Sequence, residues 1–250
     1  MNDADIARRA LALMDLTELG DAAGEKDVAA LCDKAGGSET LPPVAAICVW
    51  PRHVAFARRR WQGRIATVVN FPGGDEGIDA VAGQTRDALA AGADEIDIVL
   101  PYRAFLAGDT APAAAMLHAI RAETRGRTLK VILESGLYPD EATIAAASGL
   151  AITAGADFIK TSTGKVSVGA TLDAARVMLE AIRAADRPVG FKPSGGIRTL
   201  EDARTYLDLA ASIMGPEWAR PATFRFGASG LYGALAGAIT GASSTASTGY

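Results

Sequence analysis

Two lysines close apolar runs in this 250-residue chain: Lys160 ends Ala156-Asp-Phe-Ile-Lys160 and Lys192 ends Val189-Gly-Phe-Lys192. A carboxylate, Asp97, lies inside a third run, Glu95-Ile-Asp-Ile-Val-Leu100. Runs of this kind read as strands. Their period of two puts Phe158 with Lys160, Gly190 with Lys192 and Glu95 with Asp97 on shared faces. If those faces turn inward, two ammonium groups and a carboxylate enter one enclosed space. Burial and a like charge both disfavour protonated lysine, so one amine is expected to be neutral near pH 7. A neutral lysine amine attacks carbonyls, and the resulting Schiff base draws electrons from the neighbouring carbon. Carbon–carbon bonds can then break or form, with Asp97 moving protons directly or through a water. The plainer alternative is that each lysine is only its strand's exit to solvent. That suits one lysine alone better than two with an aspartate.

A second set of residues points to phosphate. Lys192-Pro-Ser-Gly-Gly-Ile-Arg-Thr199 and Phe226-Gly-Ala-Ser-Gly230 are Gly-rich turns after the last two predicted strands. Gly195, Gly196, Ser229 and Gly230 would let backbone N–H groups approach an anion, with Arg198 or Lys165 adding charge. The competing reading is a pair of capping turns that need small residues. Thr161-Ser-Thr-Gly-Lys165 is not a nucleotide P-loop, because Ile159 and Val166 occupy positions where that motif needs Gly and Ser or Thr. His53 and His118 are isolated, which argues against a metal site, and no nicotinamide fingerprint occurs. Asp15 and Thr17 end the first strand and could face the same mouth or only form a turn. Cys48 reads as a small core residue. Glu95 and Lys130 read as a structural pair inside the sheet.

The elements that must position these groups follow from a repeated alternation of short β-branched runs with Ala-rich stretches of helical period. Eight strands are expected: 13–16, 44–50, 65–70, 95–100, 129–134, 157–160, 189–192 and 223–226. Helices are punctuated by a cap at Thr171 and a capping box of Thr199 with Asp202. Eight βα units in this length favour a TIM (β/α)8 barrel, an α/β fold with its site at the carboxyl ends of the strands. A single domain over residues 1–239 is expected, with a mobile tail over 240–250. With 25 Lys and Arg against 29 Asp and Glu, the net charge of −4 and a pI near 5.3 argue against a nucleic-acid partner. Two cysteines and no apolar run of membrane-spanning length lead to the expectation of a cytoplasmic protein without membrane association. Taken alone, these residues leave three readings open: a lysine-dependent aldolase, a phosphosugar isomerase or epimerase with a carboxylate base, and a non-catalytic phosphosugar binder.

Six motifs, residues 13–17 (LMDLT), 45–52 (AAICVWPR), 66–72 (ATVVNFP), 92–104 (GADEIDIVLPYRA), 156–166 (ADFIKTSTGKV) and 190–199 (GFKPSGGIRT), together resemble deoxyribose-phosphate aldolase, in family order. The resemblance implies reversible cleavage of 2-deoxy-D-ribose 5-phosphate to D-glyceraldehyde 3-phosphate and acetaldehyde, by a class I route needing neither metal nor cofactor. It implies that Lys160 forms the Schiff base, that Lys192 lowers its pKa, and that Asp97 transfers protons with an ordered water. Gly164, Lys165, Gly195, Gly196, Arg198 and Ser229 match the family's phosphate site, and Asp15 and Thr17 border the sugar. A terminal tyrosine, here Tyr250, assists proton transfer in some members. Phosphosugar and aldehyde would be the partners, and a homodimer is the expected assembly. Two departures stand out: Gly230 replaces a serine, removing one hydroxyl donor, and Trp50 replaces a tyrosine, which is expected to reshape the mouth.

Overall fold

The computed structural model describes residues 2–241. Eight strands, β1 (Met14–Glu18), β2 (Ala46–Val49), β3 (Ile65–Val69), β4 (Glu95–Val99), β5 (Thr128–Ile132), β6 (Phe158–Lys160), β7 (Gly190–Lys192) and β8 (Phe226–Ala228), form one parallel sheet in the order β7-β6-β5-β4-β3-β2-β1-β8. Between and around them run α1 (Asp3–Ala12), α2 (Glu25–Ala35), α3 (Val54–Arg60), α4 (Ile78–Ala90), α5 (Tyr102–Leu106), α6 (Ala111–Glu123), α7 (Glu141–Thr153), α8 (Leu172–Arg183), α9 (Leu200–Met214) and α10 (Leu231–Thr240). The ring closes between β7 and β8. There Phe191 N donates to Thr223 O at 2.8 Å, Arg225 N to Phe191 O at 3.0 Å and Gly227 N to Pro193 O at 3.0 Å. Pro193 has no N–H to give, so the seam lacks the rung a donor there would add, and it is held by the isolated bridges Phe191–Phe224 and Ser194–Gly227. The result is the expected TIM barrel.

Most strand residues are buried because helices cover the outside and side chains fill the inside. A large apolar shell lies between sheet and helices. A separate small cluster, Leu19, Cys48, Ala66 and Val68 with Trp50 and Phe71 against it, packs apart from that shell. Phe191, Phe224 and Phe226 tighten the β7–β8 seam through edge-to-face contacts at 5.9 and 4.9 Å, each contributing about 0.5–1.5 kcal/mol beyond area burial. Gly190 is required by its neighbour: a Cβ there would sit 2.3 Å from the Phe158 ring.

The barrel floor is braced by one device used twice. Asp94 and Asp157 each precede a strand, and each accepts a backbone N–H, from Ile65 at 2.9 Å and Leu129 at 2.8 Å. An arginine from a preceding helix, Arg58 or Arg121, grips each carboxylate and the nearby glycine carbonyl, Gly92 or Gly155. Arg58 to Arg121, Gly92 to Gly155 and Asp94 to Asp157 share one sequence offset, so two quarter-barrels are locked alike.

The expected caps are present: Thr171 accepts from Ala174 N, and Thr199 and Asp202 cap each other reciprocally. Several expected bounds change: the strands expected at 44–50 and 129–134 are Ala46–Val49 and Thr128–Ile132, the latter ending before Glu134 turns left-handed. The first strand runs on to Glu18, because Thr17 and Glu18 still pair with Cys48 and Val49. The last begins at Phe226 rather than 223, because Thr223 and Phe224 donate their N–H groups to Arg220 O in a turn. Thr240, expected in the tail, is the last residue of α10, its hydroxyl donating to Ala236 O. Residues 242–250 lie outside the described residues. The sequence reading did not anticipate α1, which packs on α10 and α9.

Candidate active site

Register brings the charged residues together. Lys160 pairs with Lys192 across β6–β7, and Asp97 with Lys130 across β4–β5. Asp15 arrives from β1, and Arg225 from the residue before β8. Asp97 is the hub: its Oδ2 accepts from Lys192 Nζ at 2.7 Å and Lys160 Nζ at 3.1 Å, and its Oδ1 from Lys130 Nζ at 2.8 Å. Asp15 accepts from Lys192 and Arg225, and Glu95 from Lys130 and Arg225. The expected Glu95–Lys130 pair therefore exists, but Lys130 also serves Asp97. All these groups are buried.

The electrostatics follow from this count of partners. Three carboxylates face four cations, which leaves one positive charge too many in a space without bulk water. Lys192 and Lys130 each touch two or three carboxylates, whereas Lys160 touches Asp97 alone. Burial, and then the adjacent Lys192 charge, push the Lys160 amine below its ordinary value against the pull of Asp97. Burial works against Lys192 too, but Asp15 and Asp97 outweigh it and hold its ammonium above the usual lysine range. The same contest at Asp97 ends with the carboxyl well below its ordinary value, since Lys130, Lys192 and Lys160 overcome desolvation. The excess charge therefore weighs most on Lys160.

Lys160 also meets a cavity at the carboxyl ends of the strands. A space of about 160 Å³ extends from it to the Gly-rich turns and is lined by Thr17, Thr163, Gly164, Ser194, Gly195, Gly196, Arg198 and Ser229, among others. Gly195 and Gly196 both have φ of 86°, a left-handed conformation that only glycine adopts cheaply. Helices α9 and α10 start directly behind Arg198 and Ser229, aiming N-terminal dipoles toward this end of the space. The two glycine turns that line the cavity follow β7 and β8, whereas the amine stands at the end of β6.

Of the expected site residues, Lys160, Thr17, Gly164, Gly195, Gly196, Arg198 and Ser229 share this cavity. Asp15, Asp97 and Lys192 lie fully buried and reach it only through ion pairs to one another and to Lys160. Lys165 is placed elsewhere: its ammonium bonds Asp21 at 2.8 Å and lies 5.9 Å from the Trp50 ring centroid. Trp50 does not line the cavity; it packs edge-to-face on Phe71 at 5.5 Å and donates to Gly20 O. Gly230 is the N-cap of α10. Tyr250 lies outside the described residues. Cys48 is fully buried, and desolvation pushes its thiol up to about 11. Arg225, Thr163 and Glu134 were missed. Arg225 left a trace in the sequence, a charge set between two phenylalanines in Phe224-Arg-Phe226, whereas Thr163 left none.

Residues 9–243 match the model of the DeoC/LacD family aldolases. The chain is 52% identical over 232 residues to a deoxyribose-phosphate aldolase of Agrobacterium fabrum, covering 91% of this chain and 89% of that one. An apo crystal structure of a candidate deoxyribose-phosphate aldolase from Toxoplasma gondii superposes with a TM-score of 0.88 at 25% identity, covering 97% of this chain and 99% of the other. A tetrameric deoxyribose phosphate aldolase from Aeropyrum pernix gives 0.72 at 25% identity over 94% and 92%. On the barrel, the buried lysines and these likenesses together, the chain belongs to the DeoC/LacD family of aldolases.

Proposed function

We propose that this enzyme reversibly cleaves 2-deoxy-D-ribose 5-phosphate into D-glyceraldehyde 3-phosphate and acetaldehyde through a Schiff base on Lys160. One observation carries the reading: the buried amine with the weakest claim to a proton opens into the same cavity as the two glycine turns. The phosphate binds at Gly164, Gly195, Gly196 and Ser229, with Arg198 adding charge, and Asp15 and Thr17 border the sugar. This places the aldehyde carbon at Lys160. The amine adds to C1 and water leaves, giving an iminium. Loss of the C3 hydroxyl proton then breaks the C2–C3 bond; its electron pair passes into the iminium to form an enamine, and glyceraldehyde phosphate departs. Protonation at C2 and hydrolysis release acetaldehyde and restore the amine. Lys192 keeps Lys160 neutral, while Asp97, by its contact with Lys160 Nζ, hands protons to and from that nitrogen through an ordered water. No separate cofactor or metal enters these steps.

An isomerase or epimerase needs a free carboxylate base. Asp97 is fully buried outside the cavity lining and meets that space only at the Lys160 nitrogen, so it is not aimed at a substrate carbon. The proposal extends to a cytoplasmic homo-oligomer, for which the tetrameric relative is the support, and to Tyr250 as a further proton-transfer group. Among the described residues, no helix is long and apolar enough to cross a membrane. Incubation with acetaldehyde and borohydride followed by peptide mapping tests the reading: the adduct is expected on Lys160, and an adduct on another lysine, or none, overturns it.

A further inference from the structure

Glu134, the second residue beyond β5, has no role in the reaction described above, yet its placement is specific. Its backbone is left-handed, φ 61° and ψ 46°, a conformation that strains a non-glycine residue. Its side chain is fully buried. Both carboxylate oxygens are spent on one residue: Oε1 accepts from the Thr163 backbone N–H at 3.1 Å and Oε2 from the Thr163 hydroxyl at 2.6 Å. The flanking backbone is tied to β6 at the lysine, with Leu133 N donating to Lys160 O and Ser135 N to Thr161 O, both at 2.9 Å.

Thr163 passes this restraint onward. With its hydroxyl hydrogen committed to Glu134, its Oγ1 accepts from Lys165 N at 3.0 Å, which closes a tight turn over Gly164, itself at φ 80°. That turn rests on the next one. A Cβ on Gly195 would lie 3.3 Å from Gly164 Cα and 3.2 Å from Gly169 Cα, and Ala170 N donates to Gly195 O at 3.0 Å. Backbone touches backbone here with no side chain to absorb a shift. Glu134, Thr163, Gly164 and Gly195 therefore form one continuous mechanical chain from the end of β5 to the anion end of the cavity.

We propose that Glu134 is a positioning residue for the substrate's phosphate, setting through Thr163 the spacing between the 163–165 turn and the Gly195-Gly196 turn. The inference rests on the aldolase reading above. It gives a task to a strained, buried carboxylate that stands outside the cavity lining. Burial raises the Glu134 carboxyl, and the two bonds from Thr163 counter that rise, so the grip and the charge support each other.

The test compares 2-deoxy-D-ribose 5-phosphate with 2-deoxy-D-ribose, which lacks the phosphate. Glu134→Gln keeps the size but cannot accept both Thr163 bonds. It is expected to raise KM for the phosphorylated sugar about tenfold with kcat nearly kept, the effect of losing one charge-assisted hydrogen bond in uniform binding. For the unphosphorylated sugar, kcat/KM is expected to change less than about twofold. Thr163→Val, which removes only the hydroxyl, is expected to behave alike, and the double variant to be no worse than either single one. Equal losses on both sugars, unchanged KM on both, or additive effects overturn the inference. Should Glu134→Gln fail to fold, Thr163→Val alone carries the same expectation and the same refutation. A wild-type enzyme that cleaves neither sugar refutes the aldolase reading itself, a result distinct from a wild-type enzyme that cleaves both with Glu134→Gln indistinguishable from it.

Discussion

Replacing Lys192 by Met keeps length and apolar volume while removing one charge, and its consequence can be worked from the geometry. Lys160 and Lys192 both touch Asp97 Oδ2, at 3.1 and 2.7 Å, so their nitrogens are no more than about 6 Å apart, and at an effective dielectric of about 20 their repulsion is at least about 2.8 kcal/mol. That corresponds to a factor of about 100 in the protonation equilibrium of Lys160. The substitution also leaves Asp15 and Asp97 less neutralised, which acts in the same direction, toward a charged Lys160. Borohydride trapping with acetaldehyde is therefore expected to slow by about 100-fold at neutral pH, and its pH dependence to move to more alkaline values. A parallel melt separates this effect from unfolding, since breaking a buried ion pair costs on the order of 3–5 kcal/mol. A folded Lys192→Met enzyme trapped at the wild-type rate, with the wild-type pH dependence, would refute the coupling.

Three further outcomes follow from the same structure. Asp15 and Asp97 are both held far below the ordinary carboxylate value of 3.8, so the stability they contribute is present above that value and lost as pH falls below it toward their folded values; urea melts carried from neutral pH to well below 3.8 should be flat at first and then fall steeply below 3.8, the fall being shallower in Asp97→Asn, which starts less stable at neutral pH. Gly190→Ala places a Cβ 2.3 Å from the Phe158 ring and is expected to cost about 1–3 kcal/mol in chemical denaturation, with no loss contradicting the packing of the barrel interior. Cys48, fully buried and raised to about 11, should resist iodoacetamide in the native enzyme and react only on unfolding, as read by mass spectrometry; ready alkylation of the native protein would mean that the interior opens.

Much of this was legible in the sequence because period two is a geometric rule. It put Lys160, Lys192, Asp97 and Glu95 inside once the strands were recognised, and βα alternation then closed the barrel. Asp15 was legible as a candidate, but its ion pairs with Lys192 and Arg225 were not, because they join the first strand to the last two and depend on ring closure across 177 and 210 residues. Lys165 illustrates the converse: its motif is clear, yet a side chain of that length can swing to Asp21, and no spacing rule fixes its rotamer. Thr223 looked like a strand because β-branched and aromatic residues surround it; its carbonyl does accept from Phe191 across the seam, but its N–H and hydroxyl turn back to Arg220 O. Glu134 was invisible because a left-handed glutamate has no local signature; its position is dictated by Thr163, a neighbour in space on the adjacent βα loop.

The central claim concerns a single proton. Isotope-edited NMR titration of the lysine side chains, assigned with Lys160→Met, reads it directly. Lys160 is expected to titrate below the ordinary lysine value of 10.5 while Lys130 and Lys192 stay protonated throughout. A Lys160 ammonium that keeps its proton to 10.5 or beyond would contradict the account.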